Sequence, residues 1–240
     1  MIQTSNIWKA LVLTIYPDMF PGPLGQALIG AGLDNGIWSL KTLNIRSFAE
    51  NKHSSIDDTP YGGGAGMIMR ADVLDAAINN AKSIMGPEIP LIYLTPRGIP
   101  ATQERIRKLS KGPGVSILCG RFEGIDQRVI EAHKIEEICL GDFILSGGEI
   151  ASMAILEGCI RLLPGILGST ESIKDESFEL GLLEYPHYTR PKCWNKWNVP
   201  EVLLSGHHKN ITAWRYSKSL EITEKRRPDM WQAFLSRRKH

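Results

Sequence analysis

Three side chains in the second half of the sequence could carry out proton-transfer chemistry. Asp175 and Glu176 lie in a polar, glycine-bearing stretch at 165–178, and Arg161 closes the helical pattern that precedes it. A carboxylate accepts a proton as a general base, and an arginine stabilises negative charge that develops on an oxygen atom. On the residues alone the simpler interpretation ranks first, namely two solvated linker acids and a cation at the C-terminus of a helix.

A second stretch, EEICLGDFILSGGE at 136–149, has the composition of a binding loop. Residues 138–140 have the pattern of the end of a buried strand, 141–142 that of a turn, and 143–145 that of a second apolar segment. The two glycines at 147–148 leave the backbone bare, so that a ligand could approach it closely. This stretch therefore predicts a ligand-binding loop.

The glycine run GGGAG at 62–66 follows the acidic Asp57 and the aromatic Tyr61. No Lys-Ser or Lys-Thr pair follows the run, which excludes a Walker phosphate loop. Met67 occupies the last position of a G-x-G-x-x-G pattern, and a polar run replaces the preceding strand, which disfavours a Rossmann fingerprint. A binding loop and a flexible turn of small residues both remain open for this run.

The segment CGRFEGID at 119–126 follows an apolar strand and leads into a helical pattern. Gly120 is therefore expected at the carboxyl end of a strand, where α/β folds bind their ligands. The charged residues Arg121, Glu123 and Asp126 could equally form a surface ion-pair cluster of little energetic weight.

The last quarter of the chain is basic and rich in aromatic residues. Residues 1–180 carry 16 Lys and Arg against 21 Asp and Glu, whereas 181–240 carry 12 against 5 and include four of the six tryptophans. The segment LLEYPHYTRP at 182–191 could stack on bases and contact phosphates. This composition indicates a region that binds nucleic acid by electrostatic attraction. The alternative is a small helical domain with a tryptophan core and solvated lysines.

Hydrophobic periodicity predicts an α/β domain with a largely parallel sheet. The predicted strands lie near 9–16, 37–43, 91–95, 115–119 and 136–140, and the predicted helices near 24–33, 71–82, 102–111, 125–132 and 149–162. In the second helix the apolar residues Val73, Leu74, Ala77, Ile78 and Ala81 follow helical spacing and are assigned to the core. Beyond Phe178 the strand patterns disappear, and helices are expected over 208–226 and from Pro228 onwards.

The rest of the composition excludes several classes of protein. The four cysteines lie far apart without a C-x-x-C pair, and His207-His208 has no further ligands beside it, so neither a disulfide framework nor a metal centre is expected. The apolar run at 10–16 is too short to cross a bilayer, and 1–9 lacks the features of a signal peptide. A reducing cytoplasm, without a membrane partner, is the compartment that fits this composition.

Five motifs together resemble one known family. They are YGGGAGM at 61–67, LCGRFEGID at 118–126, the loop at 136–149, RLLPGILG at 161–168 and GLLEYPHYTRP at 181–191. In order and spacing they resemble bacterial tRNA (guanine-37-N1)-methyltransferases, which are knotted enzymes of the SPOUT class. The resemblance covers nearly the whole chain from Trp8 on.

This resemblance implies an α/β SPOUT-type domain with a parallel sheet and a deep trefoil knot at 1–167. An interdomain linker at 168–180 and a small helical tRNA-binding domain at 181–240 would follow it. The implied partners are tRNA and a second copy of the chain, in a homodimer. The implied cofactor is S-adenosylmethionine, with Mg²⁺ as an additional requirement in similar enzymes, although the sequence shows no dedicated cage for a metal.

The resemblance also carries over the functional residues of the family. It implies that S-adenosylmethionine is held by Tyr93, Leu94, Pro96, Gly120, Glu123, Leu140, Gly141, Asp142, Phe143, Ile144, Leu145, Gly147 and Gly148. It implies substrate contacts at Asp57, Tyr61, Gly62, Gly63, Gly64, His187, Tyr188 and Arg190. Aligned without a gap, the family's catalytic aspartate falls on Glu176, with Asp175 as the alternative, and Arg161 is expected to face O6 of the guanine.

Two other functions stay open at this point. The chain could be an RNA-binding protein in which the knotted fold is only a scaffold, which predicts no methyl transfer. It could also be an enzyme of the same fold that acts on another RNA position or on ribose 2′-hydroxyls, for which Glu176 would be dispensable.

Overall fold

The chain divides into two compact units, 1–168 and 169–240. The structure is a computed structural model, and it describes residues 7–50, 54–168 and 176–238. Asp175, one of the two candidate general bases, lies outside the described residues.

The first unit contains seven strands and five α-helices among its described residues. The strands are β1 (Trp8–Thr14), β2 (Trp38–Asn44), β3 (Asp57–Asp58), β4 (Ile68–Met69), β5 (Leu91–Pro100), β6 (Gly114–Leu118) and β7 (Glu136–Cys139). The helices are α1 (Ala27–Asp34), α2 (Ala71–Met85), α3 (Gln103–Lys111), α4 (Gln127–His133) and α5 (Gly148–Ile160). Short 3₁₀ helices lie at Pro17–Met19, Gly22–Gly25 and Ile45–Phe48.

Five of these strands form one parallel sheet with the order β2-β1-β6-β5-β7. Both faces of the sheet are covered, as expected for parallel strands that read as continuous apolar runs. In β1, Ala10 and Val12 point into the core beneath α1, α3 and α5, whereas Leu11 and Leu13 point into the core beneath α2 and α4. The unit is therefore a three-layer α/β/α sandwich.

The predicted α/β class and parallel sheet are confirmed. All five predicted strands form within a few residues of their expected bounds, and the five core residues assigned to α2 are all buried. Strand β5 extends to Pro100, beyond its predicted end, because its pairing with β7 resumes after a register shift between Leu94 and Ile99. The antiparallel pair of β3 and β4 was not predicted, because two-residue strands leave no periodic pattern.

Within the described residues of the second unit lie two α-helices, α6 (His208–Arg226) and α7 (Pro228–Arg237), at the predicted positions. It also contains a 3₁₀ helix at Glu201–Leu204 and a hairpin of β8 (Cys193–Trp194) and β9 (Trp197–Asn198). The expectation that strands are absent beyond Phe178 was thus wrong. A hairpin this short depends on its two-residue turn, Asn195-Lys196, whose φ values of 48° and 68° match the primed turns that hairpins favour.

Few side chains of the second unit are buried within the chain. Among its described residues only Leu182, Ser219 and Thr223 have buried side chains. Trp194 and Trp197 are mostly exposed, which contradicts the alternative in which all the tryptophans of this region form a core.

Candidate functional site

A cavity of about 250 Å³ lies at the carboxyl ends of β6 and β7, beside the register shift in the middle of β5. The loops that follow β6 and β7 form its walls together with residues 93–96 of β5, near the carboxyl edge where parallel sheets bind their ligands. Its lining consists of Tyr93, Leu94, Thr95, Pro96, Gly120, Arg121, Phe122, Glu123, Gly124, Cys139, Leu140, Gly141, Phe143, Ile144, Leu145, Ser146, Gly147, Gly148 and Ala151. Twelve of the thirteen residues predicted to hold the cofactor are in this set, and Asp142 is not.

The loop after β6 touches the start of α5 at one closely packed point. The main-chain N–H of Gly148 donates a hydrogen bond to the carbonyl of Gly120 over 3.0 Å. A Cβ atom at position 148 would lie 2.8 Å from the Cα of Cys119, a distance that real Cβ atoms do not show. Glycine at 148 therefore brings two walls of the cavity into main-chain contact.

Arg121 and Glu149 form an ion pair behind this contact. Nη2 of Arg121 lies 2.9 Å from Oε2 of Glu149, whose side chain is fully buried. Thr14, at the end of β1, donates from its hydroxyl to Oε1 of Glu149 over 2.7 Å. Nη1 of Arg121 donates to the carbonyl of Ser146 over 3.2 Å, and its guanidinium carbon lies 4.6 Å from the ring centre of Tyr16.

This network joins three segments of the chain around the cavity: the end of β1, the loop after β6 and the loop before α5. Nη2 of Arg121 and Oε2 of Glu149 are close enough for an ion pair, but their geometry is not that of a hydrogen bond. Neither Nε of Arg121 nor Oε2 of Glu149 has a hydrogen-bond partner in the described structure. Each of these two charges is therefore stabilised mainly by the opposite charge of the other, and loss of either residue would leave the other charge without a counter-ion.

The alternative of a surface ion-pair cluster at 119–126 is wrong. Arg121 pairs with the buried Glu149 rather than with a neighbour in sequence. Asp126 pairs with Arg128, 2.7 Å away, and caps α4 by accepting the main-chain N–H of Arg128. The Arg128 guanidinium holds the pKa of the Asp126 carboxyl below its usual value.

Glu123 connects the cavity to the glycine run at 62–66. Its main-chain N–H donates to the carbonyl of Met67 over 3.0 Å, and the main-chain N–H of Met69 donates to the carbonyl of Gly124 over 2.9 Å. Gly66 lies so close that a Cβ there would overlap the side chain of Glu123. The glycine run is thus tethered next to a residue that lines the cavity.

The predicted substrate-contacting residues of this run are open to solvent. Tyr61 is 99% exposed, and Gly62, Gly63 and Gly64 have φ values of 88°, 78° and 125°. No atom lies within 4 Å of a Cβ built at any of these three glycines, so they are needed for their backbone conformation rather than for space. Asp57 lies nearby in the chain, in β3, paired with Met69.

The candidate catalytic residues lie in different units. Arg161 is the C-terminal cap of α5 in the first unit, and its main-chain N–H donates to the carbonyl of Glu157. Glu176 lies in the second unit, where it lines a cavity of about 180 Å³ together with Tyr185, Arg215 and Tyr216. Each unit thus presents one of the two side chains expected to act on a base.

The other predicted substrate contacts lie in the second unit. His187 and Tyr188 line a cavity of about 190 Å³ that also includes Trp214. The rings of Tyr188 and Trp214 have their centres 6.2 Å apart, and the His187 ring is 4.9 Å from that of Tyr185. Arg190 is exposed in the neighbouring segment.

Burial raises the pKa values of two side chains at or near the first cavity. It raises the pKa of the Tyr93 hydroxyl above its usual value. Burial, reinforced by the negative charge of Glu149, raises the pKa of the Cys119 thiol well above its usual value. Cys119 is therefore inert at neutral pH, because the thiolate is its nucleophilic form.

In the parts of the chain that the structure describes, no three His, Cys, Asp or Glu side chains are grouped so that they could hold a metal ion. Among the same residues, no helix combines the length and apolar character required to cross a bilayer.

Sequence reasoning missed Thr14, Arg121 and Glu149 as parts of the site. A signal for Glu149 was present, because it is a lone acid at the start of an otherwise apolar helix, EIASMAIL. Such a charge needs a partner when the helix is buried. The identity of that partner could not be read from the sequence, since Thr14 and Glu149 are 135 residues apart.

The sheet and its cavity define an α/β protein with a cavity at the carboxyl ends of two parallel strands, where α/β folds bind their ligands. A sequence model of the family described as tRNA (Guanine-1)-methyltransferase TrmD matches residues 8–233. The chain belongs to this family. The predicted resemblance is therefore confirmed.

Proteins similar to this chain have names that agree with this family. A protein of Gluconobacter oxydans is 52% identical over 96% of this chain and 97% of its own length. A protein of Rhodospirillum rubrum is 54% identical over 96% of this chain and 95% of its own, and one of Rhizorhabdus wittichii is 56% identical over 94% and 91%. Each is named tRNA (guanine-N(1)-)-methyltransferase.

Proposed function

We propose that this protein methylates N1 of guanine 37 in tRNA, with S-adenosylmethionine as the methyl donor. The observation that carries the proposal is the match of the family over residues 8–233, together with the cavity at the carboxyl ends of β6 and β7. Because its substrate is tRNA, the enzyme would act in the cytoplasm.

The lining of the cavity fits the proposed cofactor. Leu94, Leu140 and Ile144 would supply apolar walls for a flat nucleoside. The carboxylate of Glu123, which lines the cavity, would offset the positive charge of the sulfonium. When bound, the cofactor supplies an electrophilic methyl group.

Residues of the chain would accept the N1 proton of the guanine and stabilise the negative charge that develops on its O6 atom. N1 carries a proton at neutral pH, and its lone pair becomes available only as that proton leaves. Glu176 would accept the proton, with Asp175 as the alternative acceptor, and Arg161 would stabilise the negative charge that builds on O6. Support for these roles comes from the gap-free match of the motifs on either side of 169–180.

Three segments of the chain would have different functions in this reaction. Residues 1–167 would form the cofactor domain with a deep trefoil knot, 168–180 the linker and 181–240 the tRNA-binding domain. The charge of 181–240, with 12 Lys and Arg against 5 Asp and Glu, supports contact with phosphates. Substrate contacts at Asp57, Tyr61, Gly62, Gly63, Gly64, His187, Tyr188 and Arg190 and a role for Mg²⁺ in the reaction belong to the same proposal.

The active site would be shared between two copies of the chain in a homodimer. Exposed apolar side chains next to the cavity, Phe143 at 55% and Ile144 at 79%, support an interface there. A symmetric dimer would then bring the linker and second unit of one copy to the cofactor loops of the other.

Methyl transfer to defined transcripts tests the central proposal. The full-length protein is incubated with S-adenosylmethionine labelled in its methyl group and with tRNA transcripts that carry guanine or adenine at position 37. Label should appear only in the guanine transcript, as 1-methylguanine. Binding of both transcripts without transfer would favour a scaffold protein, and equal labelling of both would favour an enzyme that acts on another position or on ribose.

Subunit mixing tests the shared site. Glu176→Gln and Gly141→Trp proteins, each inactive alone, are mixed under conditions of verified subunit exchange. Heterodimers should regain activity at up to about half the wild-type level, because one of their two sites is intact. Verified exchange without recovery would mean that each copy contains a complete site.

A further inference from the structure

The β8–β9 hairpin of the second unit presents two tryptophans side by side. Trp194 and Trp197 are directly opposed in the antiparallel pairing, so their side chains leave the ribbon on the same face. Trp194 is 65% exposed and Trp197 77% exposed. Two adjacent indoles left in water mark a surface that is covered when the protein is engaged with a partner.

The surroundings of the two indoles are cationic. Residues 185–200 include Arg190, Lys192 and Lys196 and no Asp or Glu. Lys196 lies in the turn of the hairpin itself, and Lys192 directly precedes β8, where its carbonyl accepts the main-chain N–H of Val199 over 3.0 Å. Neither lysine forms an ion pair with a carboxylate of the described residues. Their charges are therefore available to a partner.

This combination of flat aromatic faces and unpaired lysines distinguishes between kinds of partner. The core of a protein–protein interface is depleted in lysine, because desolvating an ammonium group is costly. Unpaired nucleotides match both features, since a base stacks on an aromatic ring while its phosphate lies near a cation. Trp194, Trp197, Lys192 and Lys196 are hereafter called the tryptophan hairpin surface.

We propose that the tryptophan hairpin surface binds unpaired nucleotides of the RNA substrate by stacking them on Trp194 and Trp197. This proposal rests on the proposed function, which makes tRNA the substrate, and goes beyond it by assigning these contacts to the hairpin. Arg190 was expected to contact the substrate by resemblance, whereas the four residues of this surface were not.

Substitutions of Trp197 in the full-length protein test the stacking. Affinity for a tRNA transcript with guanine at position 37 is measured by filter binding for the wild type and for Trp197→Phe, Trp197→Leu and Trp197→Ala. We expect Phe to retain most of the affinity, and Leu and Ala to lower it by about 5- to 100-fold, because only Phe keeps an aromatic face. Trp194→Ala should act in the same direction.

The dependence of affinity on salt separates stacking from charge. Trp197→Ala should leave the slope of log affinity against log salt unchanged, whereas Lys196→Ala should reduce its magnitude by about 0.7–0.9, the contribution of one phosphate contact. Thermal unfolding and molar mass are measured alongside, and both should equal those of the wild type, because the side chains are exposed.

Three results would overturn the proposal while leaving the proposed function intact. One is wild-type tRNA affinity in the Trp194→Ala and Trp197→Ala proteins. Another is equal affinity for Trp197→Leu and Trp197→Phe, which would indicate apolar packing without stacking. The third is a reduced molar mass in the alanine variants, which would assign the surface to a contact between two copies of the chain. Failure of the wild type itself to bind tRNA would instead overturn the proposed function.

Discussion

Nη2 of Arg121, a residue that lines the cavity, lies 2.9 Å from Oε2 of Glu149, whose side chain is fully buried. Arg121 follows β6 and Glu149 begins α5, so the pair joins the two loops that meet at Gly120 and Gly148. The ion pair therefore links the two chain segments that form this part of the cavity wall.

Glu149→Gln should destabilise the protein and weaken binding of S-adenosylmethionine. Glutamine still accepts the hydrogen bond from Thr14, but it leaves the charge of Arg121 without a counter-ion, at a cost of about 3–5 kcal/mol. Urea unfolding measures the stability, and titration calorimetry measures the cofactor affinity. Glu221→Gln, which breaks the exposed pair with Lys218, is the control and should change neither quantity. Unaltered cofactor affinity in a folded Glu149→Gln protein would contradict the positioning role.

Gly66→Ala should disturb the cofactor cavity, whereas Gly62→Ala should not. The two glycines have similar φ values, 84° and 88°, so alanine incurs a similar backbone strain at both, about 1–2 kcal/mol. Only at 66 would the new Cβ overlap the side chain of Glu123, which lines the cavity. Cofactor affinity should therefore fall in Gly66→Ala alone. Equal loss of affinity in both variants would show that Glu123 is not involved.

Glu176→Gln should abolish most methyl transfer while cofactor binding stays intact. The carboxylate is expected to act on the proton of the guanine and not on the methyl donor. Asp175→Asn is the matched comparison and should have the smaller effect in single-turnover assays. The opposite ranking would move the general base to Asp175.

Arg161→Ala should slow methyl transfer by the equivalent of about 2–4 kcal/mol of transition-state stabilisation, the scale of one lost oxyanion donor. Arg161→Lys should recover part of this loss, because it retains a cation at the end of α5. Single-turnover rates at saturating cofactor and tRNA measure both effects. A normal rate for Arg161→Ala would exclude stabilisation of O6 by this residue.

Stability at alkaline pH should depend on Cys159. Burial raises the pKa of its thiol from 9.0 to about 12. As pH rises above 9, the unfolded chain loses this proton and the folded chain keeps it, so stability that is complete below pH 9 is lost progressively up to about pH 12. Each pH unit in that window costs up to about 1.4 kcal/mol.

Urea unfolding at pH 8, 9 and 10 measures this slope. Cys159→Ala should show a shallower loss than the wild type, and Cys193→Ala, at an exposed position, should retain the wild-type slope. Identical slopes in all three proteins would mean that Cys159 is not protected from ionisation.

Local patterns account for what the sequence predicted about the fold. The apolar spacing of Val73, Leu74 and Ala77 marks one face of a helix whatever that face packs against. Strand-end reasoning predicted Gly120 at the carboxyl end of a strand, where it lines the cavity, because that position follows from the sheet alone. The resemblance to a family, rather than the spacing of residues, brought in the other predicted residues of the cavity.

What could not be predicted depends on contacts between distant parts of the chain. The hydrogen bond from Thr14 to Glu149 joins two elements with no shared local pattern. The β8–β9 hairpin has two-residue strands and so depends on the left-handed conformations of Asn195 and Lys196, which are unusual for a lysine. Composition gave the charge of this region but not the pairing of its two exposed indoles.

The order of strands in the sheet also governs when folding becomes possible during translation. β1 and β2 are neighbours in both chain and sheet, so they are able to pair early. The other sheet neighbour of β1 is β6, so Lys9 has its partner Gly114 only after β2 to β5 have been synthesised. Pairing of this kind is slow, and unpaired strands expose a nascent chain to aggregation. The interval before Leu118 is synthesised is therefore the stage at which we expect the growing polypeptide to be most exposed to aggregation.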